Sequence, residues 1–271
     1  MKTILDLLNS KMTEPKAYGP LNVSWFHYLS LFVTVICIIF LIKHFKKDDM
    51  KKIKRTILII GIIMILLEVY KQVIFAYQAG HYQWYAFPFQ FCSTPMYLYI
   101  ILGLTKSKKI EQYLISFLAT YGTFAGIAVM IYPSSVFVQT IGINVQTMVH
   151  HGLIAAVGLS LLVTKVTINL KTLIKAMAVF SILVLIAYTM NTLFNLFNDS
   201  ATFNMFFINY KYGTEIPVLA LIEPRVPHFV FLIVYILGFS LMAELVIIIT
   251  LAVKKYLFKQ QVQLSSAFSY R

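Results

Sequence analysis

Residues 55–77 read RTILIIGIIMILLEVYKQVIFAY, and this stretch decides the fold class. At a helical rise of about 1.5 Å per residue it covers a hydrocarbon core of roughly 30 Å. Its only charged residues are Arg55 at the start and the pair Glu68 and Lys71 further in. Runs of similar character flank it at about 23–44, 85–105, 112–132, 144–165, 173–197 and 228–253. Over 271 residues, 12% are charged and 59% hydrophobic, against about 25% charged in a soluble domain. The pattern predicts an all-α fold, a polytopic membrane helical bundle of about seven transmembrane helices.

Working outward from 55–77, the connections alternate in charge. Lys46, Lys47, Lys51, Lys52, Lys54 and Arg55 precede it. Lys106, Lys108 and Lys109 follow the third run, Lys165, Lys171 and Lys175 lie around the fifth connection, and Lys254, Lys255 and Lys259 follow the seventh run. The intervening loops near His81 and Ser134 hold no Lys or Arg. The positive-inside rule then sets the C-terminus in the cytoplasm and the N-terminus outside, although Lys2, Lys11 and Lys16 weakly oppose this. The expected organisation is an interfacial N-terminal segment (1–22), a transmembrane domain (23–253) and a basic cytoplasmic tail (254–271) in a multi-pass cell-membrane protein. A net charge of +13 distributed in this way is a topology signal and gives no reason to expect nucleic acid. No secretory leader is evident in the first twenty residues, so the first run is expected to direct insertion. Cys37 and Cys92 both fall in apolar runs, which argues against a disulfide framework.

The longest outer connection, 198–227, mixes Glu215, Glu223, Arg225 and three prolines with Phe206, Phe207 and Tyr210. It reads either as a re-entrant cap or as a plain interfacial loop. Trp25, Trp84, Tyr85 and Tyr132 sit at predicted span ends, as an aromatic belt would.

Polar side chains inside a span must face protein or water, so their depth carries information. Cys92, His150, His151, Asn191, Asn195, Glu68, Lys71, His27 and Ser24 come from five runs and share the outer half of the predicted bundle. Thr147 and His151 share one helix face and Gln146 with His150 another, so the adjacent histidines diverge. Tyr188, Asn191, Asn195 and Asn198 form one stripe, expected to line an interior cavity. Glu68 and Lys71 at i,i+3 suit an intramembrane ion pair. Gly122 and Gly126 suit close helix packing, and Glu244 lies apart in the inner half.

A cysteine with a histidine to take its proton is a nucleophile, and Cys92 and His151 share a predicted depth. Pro88 and Pro95 bracket Cys92 and are expected to bend the backbone, with Pro95 depriving the Phe91 carbonyl of its helical donor. Asn191 or Tyr188 is placed to stabilise an oxyanion, with Thr147 and His150 in support. The set falls short of a zinc site, and no cofactor is expected.

The segment Pro88-Phe89-Gln90-Phe91-Cys92-Ser93-Thr94-Pro95, the His150-His151-Gly152 triplet and Glu68 resemble bacterial YwaF-like membrane proteins, relatives of the transmembrane protein 164 family. The resemblance runs over nearly all seven spans. It implies that the residue matching Cys92 carries an acyl group and moves fatty acyl chains between membrane phospholipids, with His151 as its histidine partner. Where the family more often has His or Leu before the cysteine, this sequence has Gln90 and Phe91. The leading expectation is therefore a cysteine-dependent phospholipid acyltransferase or transacylase. A transporter or ion-coupled binding protein, using Glu68, Lys71 and the asparagines, is the alternative. A non-catalytic membrane partner whose outer loop binds another protein is a third.

Overall fold

The computed structural model describes residues 2–198 and 201–269, with side chains described over 3–198 and 201–256. After a short α1 (Lys2–Leu8), the chain forms α2 (Leu21–Lys47), α3 (Met50–Ala79), α4 (Thr94–Leu104), α5 (Lys108–Ile131), α6 (Ile141–Thr164), α7 (Leu170–Phe197), α8 (Leu219–Ile222) and α9 (His228–Ser269). Six of these, α2, α3, α5, α6, α7 and α9, are long and apolar enough to cross a membrane. The basic tail expected at 254–271 continues α9 as helix, and the side chain of Lys259 lies outside the described residues.

The third predicted span differs. Only Thr94–Leu104 is helical, about 16 Å or half a bilayer core, and residues 87–93 enter the bundle without regular structure. This stretch still runs the length of α3. Gln72, near one end of α3, donates to Ala86 O at 2.7 Å, and Lys54, near the other, donates to Thr105 O at 2.6 Å. Proline explains the break. Pro95 lies in the first turn of α4, where its missing N–H costs no helical hydrogen bond, so it starts a helix instead of kinking one.

Burial separates two helix classes. In α5 and α6, 72% of the membrane-length window is buried, against 22–33% in α2, α3, α7 and α9. The last four turn residues such as Phe32, Leu66, Leu185 and Leu241 outward, as lipid-facing helices do, while α5 and α6 form the centre. Their contact is backbone-close. A side chain at Gly126 would meet His151 O at 2.7 Å and collide with the backbone of Ala155; one at Gly158 would meet Leu118 O at 2.6 Å. Gly122 has nothing nearer than 3.8 Å, so of the glycine pair expected to mediate packing only Gly126 does so. A π turn at Leu118–Gly122 lies in α5 against this contact.

The basic side chains of the charged connections gather at one end. Lys54 pairs with Glu111 at 3.1 Å, Lys165 donates to Asp48 O at 2.9 Å, Lys175 to Gln112 at 2.7 Å and Lys254 to Val163 O at 3.1 Å. The N-terminal segment lies across the opposite end. Met12 N–H donates to Gln139 O at 2.8 Å, Ile141 N–H to Ser10 O at 3.0 Å and the Tyr70 hydroxyl to Leu8 O at 2.7 Å.

Gly126→Leu is expected to force α5 and α6 apart and destabilise the protein by about 1–3 kcal/mol or more, whereas Gly122→Ala is expected to be tolerated. Thermal unfolding of the detergent-solubilised variants, followed by size-exclusion monodispersity, checks the pair.

Candidate functional site

A backbone that leaves helical geometry inside a membrane must find other partners, and residues 88–92 find them one by one. Pro88 O accepts from the Tyr97 hydroxyl at 2.9 Å, Gln90 O from Ser93 N–H at 2.8 Å and Phe91 O from the Thr94 hydroxyl at 2.9 Å. Thr94 thus fills the vacancy predicted at Phe91. Cys92 O accepts from His150 Nε2 at 3.0 Å. Cys92 itself is a half-buried free cysteine, and α4 starts two residues later.

Carbonyl partners fix both histidine tautomers. A carbonyl only accepts, so His150 carries its proton on Nε2, and His151 carries its own on Nδ1, donating to Thr147 O at 2.8 Å. His150 Nδ1 and His151 Nε2 are left with lone pairs, buried and without a hydrogen-bond partner. The rings lie 5.3 Å apart at 64°. His150, not the His151 preferred from the sequence, is the one bonded to residue 92.

An ion pair borders the histidines. Lys71 Nζ lies 2.8 Å from Glu68 Oε1, which also accepts from Gln72 Nε2 at 2.7 Å, while Oε2 accepts from Gln146 Nε2 at 3.4 Å. Thr147 hydroxyl reaches Gln146 Oε1 at 3.4 Å. The network therefore links α3, the segment before α4, and α6.

The asparagine stripe does something other than line a cavity. Residues 203–209 turn into the bundle, with Met205, Phe206 and Ile208 fully buried, so the long connection is a re-entrant cap. Asn191 grips Met205 on both sides, accepting from its N–H at 2.8 Å and donating to its carbonyl at 3.0 Å. That occupies the amide assigned above to an oxyanion. Asn195 and Asn209 exchange amide bonds at 2.9 and 3.0 Å, and half-exposed Tyr188 stacks on His228. Gln90 holds the other side of the cap, donating to Asn204 O and accepting from Phe206 N–H, both at 2.9 Å.

Other members of the predicted slab stand elsewhere. His27 Nε2 bonds Met130 O at 2.9 Å and Ser24 accepts from Gly19 N–H at 2.8 Å. Glu244, expected apart from the slab, is exposed on α9. Sequence reasoning missed Gln72, Asn204 and Asn209, and it named Gln90 and Gln146 without their partners. The available signal was an amide inside or beside an apolar run, the residue type that pairs with stray backbone.

The sequence model of the TMEM164 family matches residues 22–250, from the first residues of α2 into α9. The chain belongs to the TMEM164 family. No curated protein and no solved structure matches it. The match takes in every membrane helix, the Cys92 segment and the cap, so this multi-pass TMEM164-family protein carries its polar cluster wholly inside the family region.

Glu68→Leu leaves the partly buried Lys71 ammonium unpaired and is expected to cost up to about 3 kcal/mol, while Glu68→Leu with Lys71→Met is expected to restore most of that loss. A double-mutant cycle on thermal stability measures the difference.

Proposed function

We propose that this protein is a membrane phospholipid acyltransferase or transacylase in which Cys92 is the nucleophile and His151 the general base and acid. The observation that carries the reading is the free lone pair on His151 Nε2, buried beside a ring hydrogen-bonded to the nucleophile residue, with the opposite nitrogen oriented by Thr147 O. Nucleophile, base and orienting acceptor are the parts that covalent acyl transfer needs. His150, bonded to Cys92 O, is a positioning residue in this scheme.

His151 Nε2 takes the Sγ proton as sulfur attacks the ester carbonyl of a phospholipid. The carbonyl–alkoxy bond breaks, and His151 returns the proton to the lysophospholipid hydroxyl. An acceptor hydroxyl then gives its proton to His151 and attacks the thioester, the carbon–sulfur bond breaks, and the proton passes to Sγ. The N-terminal dipole of α4 supports the oxyanion in both steps. Glu68 is saturated by Lys71, Gln72 and Gln146, which suits a structural pair more than the ion-coupled transport considered above.

The same reading takes the basic end as cytoplasmic and the N-terminal end, with the cap, as external. A fluorescent protein fused at the C-terminus is then expected to be bright, and alkaline phosphatase fused at the N-terminus active; the reverse pair overturns the orientation.

Incubated with a radiolabelled or clickable phospholipid, the wild-type chain is expected to acquire a hydroxylamine-sensitive acyl label. Cys92→Ser and His151→Ala are expected to lose it by at least about a hundredfold, and His150→Ala to retain a weaker signal. Undiminished labelling of Cys92→Ser overturns the assignment.

A further inference from the structure

The tripeptide Asn204-Met205-Phe206 is held from two sides, and its partners are side chains. Gln90 takes Asn204 O and Phe206 N–H from one side, and Asn191 takes Met205 N–H and O from the other. A third anchor, the Tyr235 hydroxyl, donates to Phe206 O at 2.9 Å.

This clamp is short in sequence from the thiol. Gln90 lies two residues before Cys92, and the Phe206 ring sits 5.9 Å from Phe89 and 6.1 Å from Phe91, the two neighbours of Gln90. Any shift of the cap therefore bears on residues 89–91. The cap is also under backbone strain. Phe206 and Phe207 take φ values of 60° and 55°, and Val218 further along takes 69°, a region that β-branched and bulky side chains avoid. Released from its anchors, the segment has lower-energy conformations to relax into. Held by them, it packs on residues 89–91, next to half-buried Cys92.

We propose that Gln90 is a positioning residue that latches the 203–209 cap to the nucleophile segment, so that the seating of the cap sets the exposure of Cys92. The inference rests on Cys92 being the working thiol, but its test does not require acyl transfer.

Cys37→Ala leaves Cys92 as the sole thiol of the full-length chain. In that background, the rate of modification by a charged methanethiosulfonate is expected to rise at least about tenfold in Gln90→Leu, and equally in Asn191→Leu, whose clamp reaches the cap from α7. Tyr235→Phe, which removes one hydroxyl and keeps the ring, is expected to give a smaller rise and serves where a clamp variant does not fold. Limited proteolysis within 203–218 reports cap release independently. Unchanged thiol rates alongside faster cap cleavage overturn the latch, as does acceleration in Gln90→Leu alone, because a local effect would not appear from α7. If neither thiol exposure nor cap cleavage changes in any variant, these anchors do not hold the cap, and the proposal falls. Loss of the acyl label in Cys92→Ser is read separately, so failure of the latch and failure of the acyltransferase reading are distinct results.

Discussion

A peptide group inside a bilayer has no water to bond, so each N–H and C=O that leaves a helix must be met by a side chain. This protein breaks helical geometry within its bundle at residues 87–93 and again at 203–209. Several of its interior polar residues answer those breaks. Tyr97, Thr94 and His150 meet the carbonyls around Cys92, and Gln90, Asn191 and Tyr235 meet the cap. Gln90 belongs to both sets, because it lies in one irregular segment and bonds the other.

The buried pair α5 and α6 gives these segments a rigid backing. Gly126 and Gly158 let the two helices approach to backbone contact, and His150 and His151 project from the α6 side of that contact. Satisfying a carbonyl is a structural task, and His150 performs it. What it does not use is chemically informative: each histidine ends with one occupied nitrogen and one open nitrogen. In an apolar interior, an orphaned acceptor is costly unless a proton donor or a substrate visits it. The same hydrogen bonds that stabilise the broken backbone thus leave two open histidine nitrogens next to the Cys92 segment.

Much of the fold was legible because apolar length and loop charge are sequence properties. The runs at 23–44, 55–77, 144–165 and 173–197 correspond to long helices, and the lysine clusters do share one end. The third run was read as a span because its composition is apolar; that its first half is not helical depended on Pro88 and Pro95 together with partners more than fifty residues away. The polar stripe on α7 was correctly identified as facing inward at Asn191, but its purpose was not visible. Asn191 is matched to Met205 only after the connection folds back into the bundle.

By itself the sequence determined that the chain crosses a membrane many times, where its six long helices lie and which of its ends gathers positive charge, since hydrophobic transfer and charge act along a local window. Tertiary structure alone decided that His150 meets Cys92, that Glu68 is shared by Lys71, Gln72 and Gln146, and that the asparagines bind a cap. Hydrogen bonds have a reach of about 3 Å and a direction. Which donor meets which acceptor is therefore fixed by the packing of distant helices, which the one-dimensional pattern does not contain.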